Sequence, residues 1–511
     1  MEKTKSPGYF ASLWPVQAVE YKKFFSMFFM FFLISFNYNT LRAVKDTLVI
    51  TAEGSGAEAI PFIKLWVLLP SALLFTLFLT HLSNRYGREK AFYGILWSFL
   101  IYFILFIAVL YPGRDLLHPY GFCDYLGMHL PKGFNGLIAL IRHWTFTSFY
   151  VMAELWGAMI MNVLFWGFAN DTTPVGQAKR FYSLLGVAAN FAGAVGGFSV
   201  SLLSKNAFNA KLFFGNSAWE QSVFYVCMMV IVVSFAIILI YRYINRNIVS
   251  HDAAVATEPH LPKPKMSLRK NFAYLANSKY LICIALIVVT YNVAINLIEV
   301  VWKNQIKLLY PDPSDYNIYI SYVITATGVL STLIAIFLSG NIIRKFSWTY
   351  SALIPPIIIA ITGIGFFAFF FFKNPGSAMI LGFSPLALCV FFGSMQNCIS
   401  RSLKYTLFDA TKEISFIPLS SESKLKGKAA IDGIGAKIGK SGGSIIHQGL
   451  LIIFSTLTAT TPIVAILFLA IIFIWAGAVK SLGKQFNELV AHNEKLIISE
   501  KQPEKIIPVN N

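Results

Sequence analysis

Charge is what this chain has least of. Only 13% of its 511 residues are Asp, Glu, Lys or Arg, against about 25% in an average soluble domain. Another 56% are hydrophobic, and a soluble fold of that composition exposes more apolar surface than water tolerates. A soluble multidomain enzyme is excluded on that ground. Cysteine is sparse too: Cys123, Cys227, Cys283, Cys389 and Cys398 are scattered, four of them in apolar runs, without CxxC or Cys/His spacing. Neither a disulfide framework nor a zinc site is expected. His143 and His251 have no metal-ligand partner one helical turn on, so both read as interfacial or solvated polar residues, and no metal or cofactor is expected. A cleavable signal peptide is also missing, because the first apolar run is a full span without a small-residue cleavage site. Residues 1–23 are too short and too rich in acid for a plastid transit peptide.

Long apolar runs are what the chain does have. A helix needs ~20 mainly apolar residues to cross about 30 Å of hydrocarbon. That rule predicts spans at 24–50, 63–83, 91–111, 145–170, 180–203, 222–244, 280–302, 316–340, 349–372, 380–406, 429–455 and 461–482, with a lateral interfacial helix at 136–144. The expected fold is therefore an all-α membrane protein of twelve transmembrane helices. Its predicted parts are a cytoplasmic N-terminus (1–23), a six-helix bundle (24–244), a cytoplasmic linker with Pro259, Pro262 and Pro264 (245–279), a second six-helix bundle (280–482) and a cytoplasmic tail (483–511), expected to be polar and disordered from 485.

The basic residues, which give a net charge of +18, test that topology. With the N-terminus inside, twenty-nine of the 42 Lys and Arg fall on inside segments, nine, Lys303 and Lys307 among them, on outside segments and the lateral piece, and Arg42, Lys45, Lys437 and Lys440 within spans. That asymmetry is the positive-inside signature and places both termini in the cytoplasm. Most of the basic charge is then topological, and a nucleic-acid partner has little left to rest on. The two halves also echo each other. Span 5 carries Ala189, Gly193 and Gly197, and span 11 carries Gly435, Gly439 and Gly443, each at four-residue spacing. Small residues at that spacing let membrane helices approach closely, and a six-plus-six repeat marks secondary transporters.

Ionisable groups inside spans cost ~2.5–3.5 kcal/mol each on insertion scales and usually face a cavity. Span 1 has Arg42, Lys45 and Asp46; span 4 has Glu154; span 7 has Glu299; span 11 has Asp432, Lys437 and Lys440. Arg42/Lys45 and Lys437/Lys440 are each three apart and share a helix face. Basic groups converging from opposite halves suit a multiply charged anion such as phosphate. The plainer alternative is that Lys45 and Lys440 pair with Glu154, Glu299 or Asp432 to hold helices together. Gly439-Lys440-Ser441 is not a P-loop, since Ile434 stands where a Walker motif needs Gly and no strand precedes it. No constellation for catalysis accompanies these charges, so the protein is not expected to be an enzyme.

Several motifs resemble those of the nucleotide transport proteins, the ATP/ADP translocase family of obligate intracellular bacteria and plastids. They are Asn37-Tyr38-Asn39-Thr40-Leu41-Arg42, Lys45-Asp46-Thr47-Leu48, Ala153-Glu154-Leu155-Trp156-Gly157, Asn296-Leu297-Ile298-Glu299-Val300-Val301-Trp302-Lys303 and Gly439-Lys440-Ser441-Gly442-Gly443. The resemblance runs from about residue 10 to 485. It implies a major-facilitator-like fold in the inner (cytoplasmic) membrane of an obligate intracellular bacterium, acting as a monomer. The implied activity is exchange of ATP for ADP with phosphate participation; the alternative is proton-coupled import of nucleotides. By motif, the family's lysines and acids fall on Lys45, Glu154, Glu299 and Lys440. Lys45 and Lys440 are expected at the phosphates with Arg42 and Lys437 assisting, and Glu154, Glu299 and Asp432 in coupling or gating. The chain departs from the family pattern at Ala43-Val44, where Asp-Thr is usual, and at His447-Gln448, where Gln-Gln is usual.

Overall fold

The structure is a computed structural model that describes residues 16–249, 278–338, 342, 345–372, 379–380, 382–431 and 435–501. Side chains at 175, 179, 249, 421–422, 425–426, 429, 436–438, 440 and 494–501 lie outside that description. The described residues are almost wholly helical, and none forms a strand. In chain order the principal helices are α1 (Tyr21–Ile50), α2 (Ala59–Tyr86), α3 (Arg88–Leu110), α4 (Tyr120–His129), α5 (Asn135–Arg142), α6 (Trp144–Thr172), α7 (Val175–Ser204) and α8 (Ala218–Ile244). Then follow α9 (Lys279–Leu309), α10 (Pro313–Leu338), α11 (Trp348–Phe372), α12 (Pro385–Leu403), α13 (Asp409–Ser415), α14 (Ser421–Ala430), α15 (Ala436–Phe454) and α16 (Leu457–Lys501). Among the described residues ten helices are long and apolar enough to cross a membrane. The two other predicted spans correspond to α12 and α15, which carry charge or small polar residues through part of their length.

Two compact units emerge. The first takes Met1–Leu261, Val300–Ile336 and His447–Thr460, so α9 changes unit after Glu299 and α15 after Ile446. At its centre α1 is buried along most of its length. Aromatic contacts fix α1 to α6 and α7: Phe31 stacks on Phe165 at 4.2 Å, and Phe24 meets Phe181 edge-on at 5.1 Å. Trp156, fully buried, donates its indole N–H to the Ile34 carbonyl at 3.0 Å, so this tryptophan is packing rather than interface belt. Gly197 of α7 faces α10 so closely that a methyl group there would stand 2.7 Å from the Ser321 carbonyl oxygen. The predicted four-residue stripe thus serves close helix approach.

Helices α4 and α5 lie between spans, and α5 matches the predicted lateral helix. His143, expected at an interface or in solvent, is instead buried, with its Nε2 at 2.7 Å from the Glu53 carbonyl. His118 sits edge-on to it, 5.2 Å between rings, and meets Thr145 Oγ1 at 2.7 Å. Burial, with His143 as a second cause, lowers the His118 pKa to about 4. His251 lies outside the described residues.

The second unit takes Pro262–Glu299, Phe337–Ile446 and Thr461–Asn511. Gly443 of α15 faces α9, where a methyl group would meet Asn296 Cβ at 2.7 Å. Gly193 of α7 also faces Asn39 of α1 in the first unit, at the ordinary contact distance of 3.4 Å from where a methyl group would stand. The predicted echo between span 5 and span 11 is therefore an echo of contacts as well as of sequence. Tyr291 packs between Phe408 and Trp475. The disorder expected from residue 485 is corrected as far as 501: α16 continues to Lys501, with Phe486 stacked on Trp348 and Asn493 donating to the Pro418 carbonyl at 3.1 Å, and 502–511 lie outside the described residues. Apolar and amide side chains placed beyond the span give this segment a surface to pack with, which its overall polarity concealed.

Candidate functional site

Lys45 lies near the C-terminal end of α1 and is 2% exposed. Its Nζ stands 2.8 Å from Asp46 Oδ1 and 3.1 Å from Glu154 Oε1, and 3.9 Å from the centroid of the Tyr150 ring. Tyr150 and Glu154 are one turn apart on α6, so a single helix face offers both a carboxylate and an aromatic face to the cation. The second oxygen of Asp46, Oδ2, lies 2.8 Å from Lys303 Nζ on α9. Two lysines and two carboxylates thus alternate in one buried chain. Breaking such a pair by removing one partner typically costs ~3–5 kcal/mol, because the other charge is left uncompensated. Glu154 is the most accessible member, with 28% of its side chain exposed. Immediately after it, residues Trp156–Phe165 of α6 adopt π-helical geometry, a distortion that recurs near functional groups.

Arg42, one turn before Lys45, is half-buried and makes no ion pair among the described residues. In the second unit Glu299 on α9 pairs with Arg401 Nη2 on α12 at 2.9 Å, and Asn397 Oδ1 accepts from Arg401 Nε at 2.9 Å. Lys437 and Lys440 lie on α15, but their side chains are outside the described residues, as is the whole of Asp432. Gly439-Lys440-Ser441 is continuous helix, so the segment has no loop geometry for a P-loop.

Of the pairings the sequence leaves open for Lys45, with Glu154, Glu299 or Asp432, the structure makes the one with Glu154. The sequence missed the other partners. Lys303 was assigned to an outside loop; α9 in fact runs to Leu309, and Lys303 is buried on it. The signal was available, since Glu299 and Lys303 are four apart and nothing breaks the helix before Pro311. Arg401, counted among the basic residues of the inside segments, is only 16% exposed and neutralises Glu299. Gln448, next to the departure from the family pattern at His447, accepts from Trp66 at 3.1 Å and donates to the Pro61 carbonyl at 2.9 Å.

Helices long and apolar enough to cross a membrane, with buried ion pairs on α1, α6, α9 and α12, define a multi-pass membrane protein. Its fold is major-facilitator-like: it is similar to the solved D-xylose–proton symporter, with a TM-score of 0.51 at 11% identity over 91% of this chain and 97% of that one. The chain belongs to the TLC ATP/ADP transporter family, whose model matches residues 1–486. It is 44% identical to ADP,ATP carrier protein 1 of Chlamydia trachomatis over 94% of this chain and 92% of that protein. It is 40% identical to ADP,ATP carrier protein 1 of Rickettsia bellii over 97% and 100%, respectively. The chloroplastic ADP,ATP carrier protein 1 of Arabidopsis thaliana is 40% identical over 97% of this chain and 78% of its own length.

Proposed function

We propose that this chain exchanges ATP for ADP by alternating access, with Lys45 at the nucleotide phosphates. The observation that carries the reading is a buried lysine whose charge is balanced by exchangeable carboxylates rather than by a fixed backbone cage. A phosphate oxygen is the same kind of acceptor as Glu154 Oε1 and can replace it. Arg42, Lys437 and Lys440 are proposed as further cations for the phosphate chain. Glu154 and Glu299, each paired with a cation, are proposed to couple occupancy to the switch, and Asp432 to assist.

Exchange follows from the cost of moving charge. A basic group that no carboxylate balances, as Arg42 among the described residues, carries a penalty of ~2.5–3.5 kcal/mol on insertion scales when it passes through the switch without an anion. Bound nucleotide supplies the anions, so the loaded carrier turns over faster than the unloaded one. ATP has more negative charge than ADP, so one-for-one exchange responds to voltage unless phosphate accompanies ADP. The proposed setting is the inner membrane of an obligate intracellular bacterium, with both termini cytoplasmic and a monomer as the working unit. In proteoliposomes, ATP uptake should be rapid into vesicles preloaded with ADP and slow into empty ones at equal pH. Equal uptake into empty vesicles, enhanced by a pH gradient, would replace exchange with proton-coupled import. Loss of the voltage response on preloading phosphate with ADP would establish co-transport.

A further inference from the structure

One end of the first unit carries a layer of buried polar contacts that join the first six predicted spans to the last six. Asp46 Oδ2 and Lys303 Nζ are 2.8 Å apart. Thr47 Oγ1 donates to Asn317 Oδ1 at 2.9 Å, and Asn317 Nδ2 donates to Ser204 Oγ at 2.8 Å. Lys307 donates to the Ser55 carbonyl, and Gln448 to the Pro61 carbonyl. Asp46, Thr47, Ser204, Lys303 and Asn317 are all buried. Without a strong hydrophobic drive between membrane helices, such polar contacts and close packing are what hold them together. The sequence interval from Asp46 to Lys303 equals that from Asn39 to Asn296, the two asparagines that face the glycine stripes of α7 and α15. Asp46 and Lys303 therefore occupy equivalent places in the repeat, which is where helices related by pseudo-symmetry approach each other.

We propose that the Asp46–Lys303 pair is the latch of a gate at this end of the transporter, and that the same carboxylate ties the latch to the binding site. The proposal rests on the alternating-access reading. Asp46 gives one oxygen to Lys303 and the other to Lys45. Opening this end separates α1 from α9 and breaks the first contact. A phosphate arriving at Lys45 competes with the second. Gate opening and nucleotide binding therefore act on one side chain, which is a direct physical route for differential affinity between two states. Lys303 is a positioning residue here and need not touch nucleotide.

The test uses Ser201, which is buried on α7 one turn before Ser204 and bonds only within its own helix, to the Phe198 carbonyl at 2.8 Å. Ser201→Cys is nearly isosteric and reports opening through its rate of alkylation by N-ethylmaleimide, scored on the peptide that carries residue 201. In proteoliposomes without nucleotide, Lys303→Gln should raise that rate about ten-fold, because the charged contact that holds α1 to α9 is lost and the separated state gains population. Lys303→Arg should stay near the parent rate. Native Cys283, buried in the second unit, should label no faster in either variant. If Lys303→Gln fails to accumulate, Asn317→Ala removes a neighbouring contact of the same layer and should raise the rate in the same direction. An unchanged rate at Ser201→Cys, or a parallel rise at Cys283, overturns the latch, the second by showing general loosening. Alkylation requires no transport, so a parent protein that labels as expected but fails to exchange ATP for ADP defeats the exchange reading instead.

Discussion

Lys45 is the residue on which most of the proposed chemistry turns. It has Asp46, Glu154 and the Tyr150 ring within reach, so its geometry is set before any anion arrives. A hydrogen bond to a charged group is worth ~1.5–3 kcal/mol. Lys45→Gln should therefore weaken equilibrium binding of ATP and ADP by about 10–100-fold, while adenosine, without phosphates, changes little. Unchanged nucleotide affinity in a protein that melts earlier would make Lys45 a purely structural partner of Glu154. Glu154→Gln and Glu299→Gln act differently. A group that biases two states need not contact ligand, so both variants should bind nucleotide and exchange it slowly. Equal losses in binding and turnover would put these carboxylates on the ligand itself. Single-residue chemistry was legible because a charge inside an apolar run is conspicuous. Its partners were less so: Lys303 and Arg401 stand near span ends, where a charge reads as a flank until the helix boundary and the neighbouring helix are known.

At the scale of helices, spacing carries the argument. Gly197 and Gly443 each abut a neighbouring helix with no room for a methyl group, and overpacking a tight contact costs ~1–3 kcal/mol. Gly197→Ala should lower the melting temperature in detergent, because the atom it meets is Ser321 backbone and cannot rotate away. Gly121→Ala, where nothing lies within 4 Å, is the matched control. The α4–α5 segment makes a different prediction. His118 has a folded pKa of about 4, below the ordinary histidine value of about 6.5. The unfolded chain therefore binds the proton first as pH falls. Stability from this group is complete above about pH 6.5 and declines between there and pH 4. His118 meets Tyr120, Thr145 and His143, with Arg114 and Asp115 nearby. His118→Gln should flatten the fall in melting temperature between pH 7 and pH 5; an identical slope would assign the fall to other groups. The sequence offered no sign of this pair, because two histidines far apart in the chain meet only when the lateral helix folds back.

The whole molecule poses the question of orientation. Labelling of single cysteines introduced at Gly54 and Gly121 should occur from outside, and at Ser267 and Lys424 from inside. Any one of them on the opposite face would overturn the twelve-span topology. The compact units also cut across the predicted halves, since the first unit takes the ends of α9 and α15 together with most of α10. Helices chosen by hydropathy do not reveal which of their ends pack together, because that depends on contacts between residues hundreds of positions apart.

By itself the sequence determined that the chain is a helical membrane protein, because the hydrocarbon thickness sets the length of each apolar run and admits no unsatisfied backbone. It also singled out Lys45, Glu154 and Glu299 as charges within apolar runs, because charge is costly in lipid and therefore conspicuous there. Only the tertiary structure decided the pairings: Lys45 with Asp46 and Glu154, Asp46 with Lys303, and Glu299 with Arg401. An ion pair is a matter of a few ångströms, and no periodicity along a helix encodes the distance to a side chain on another.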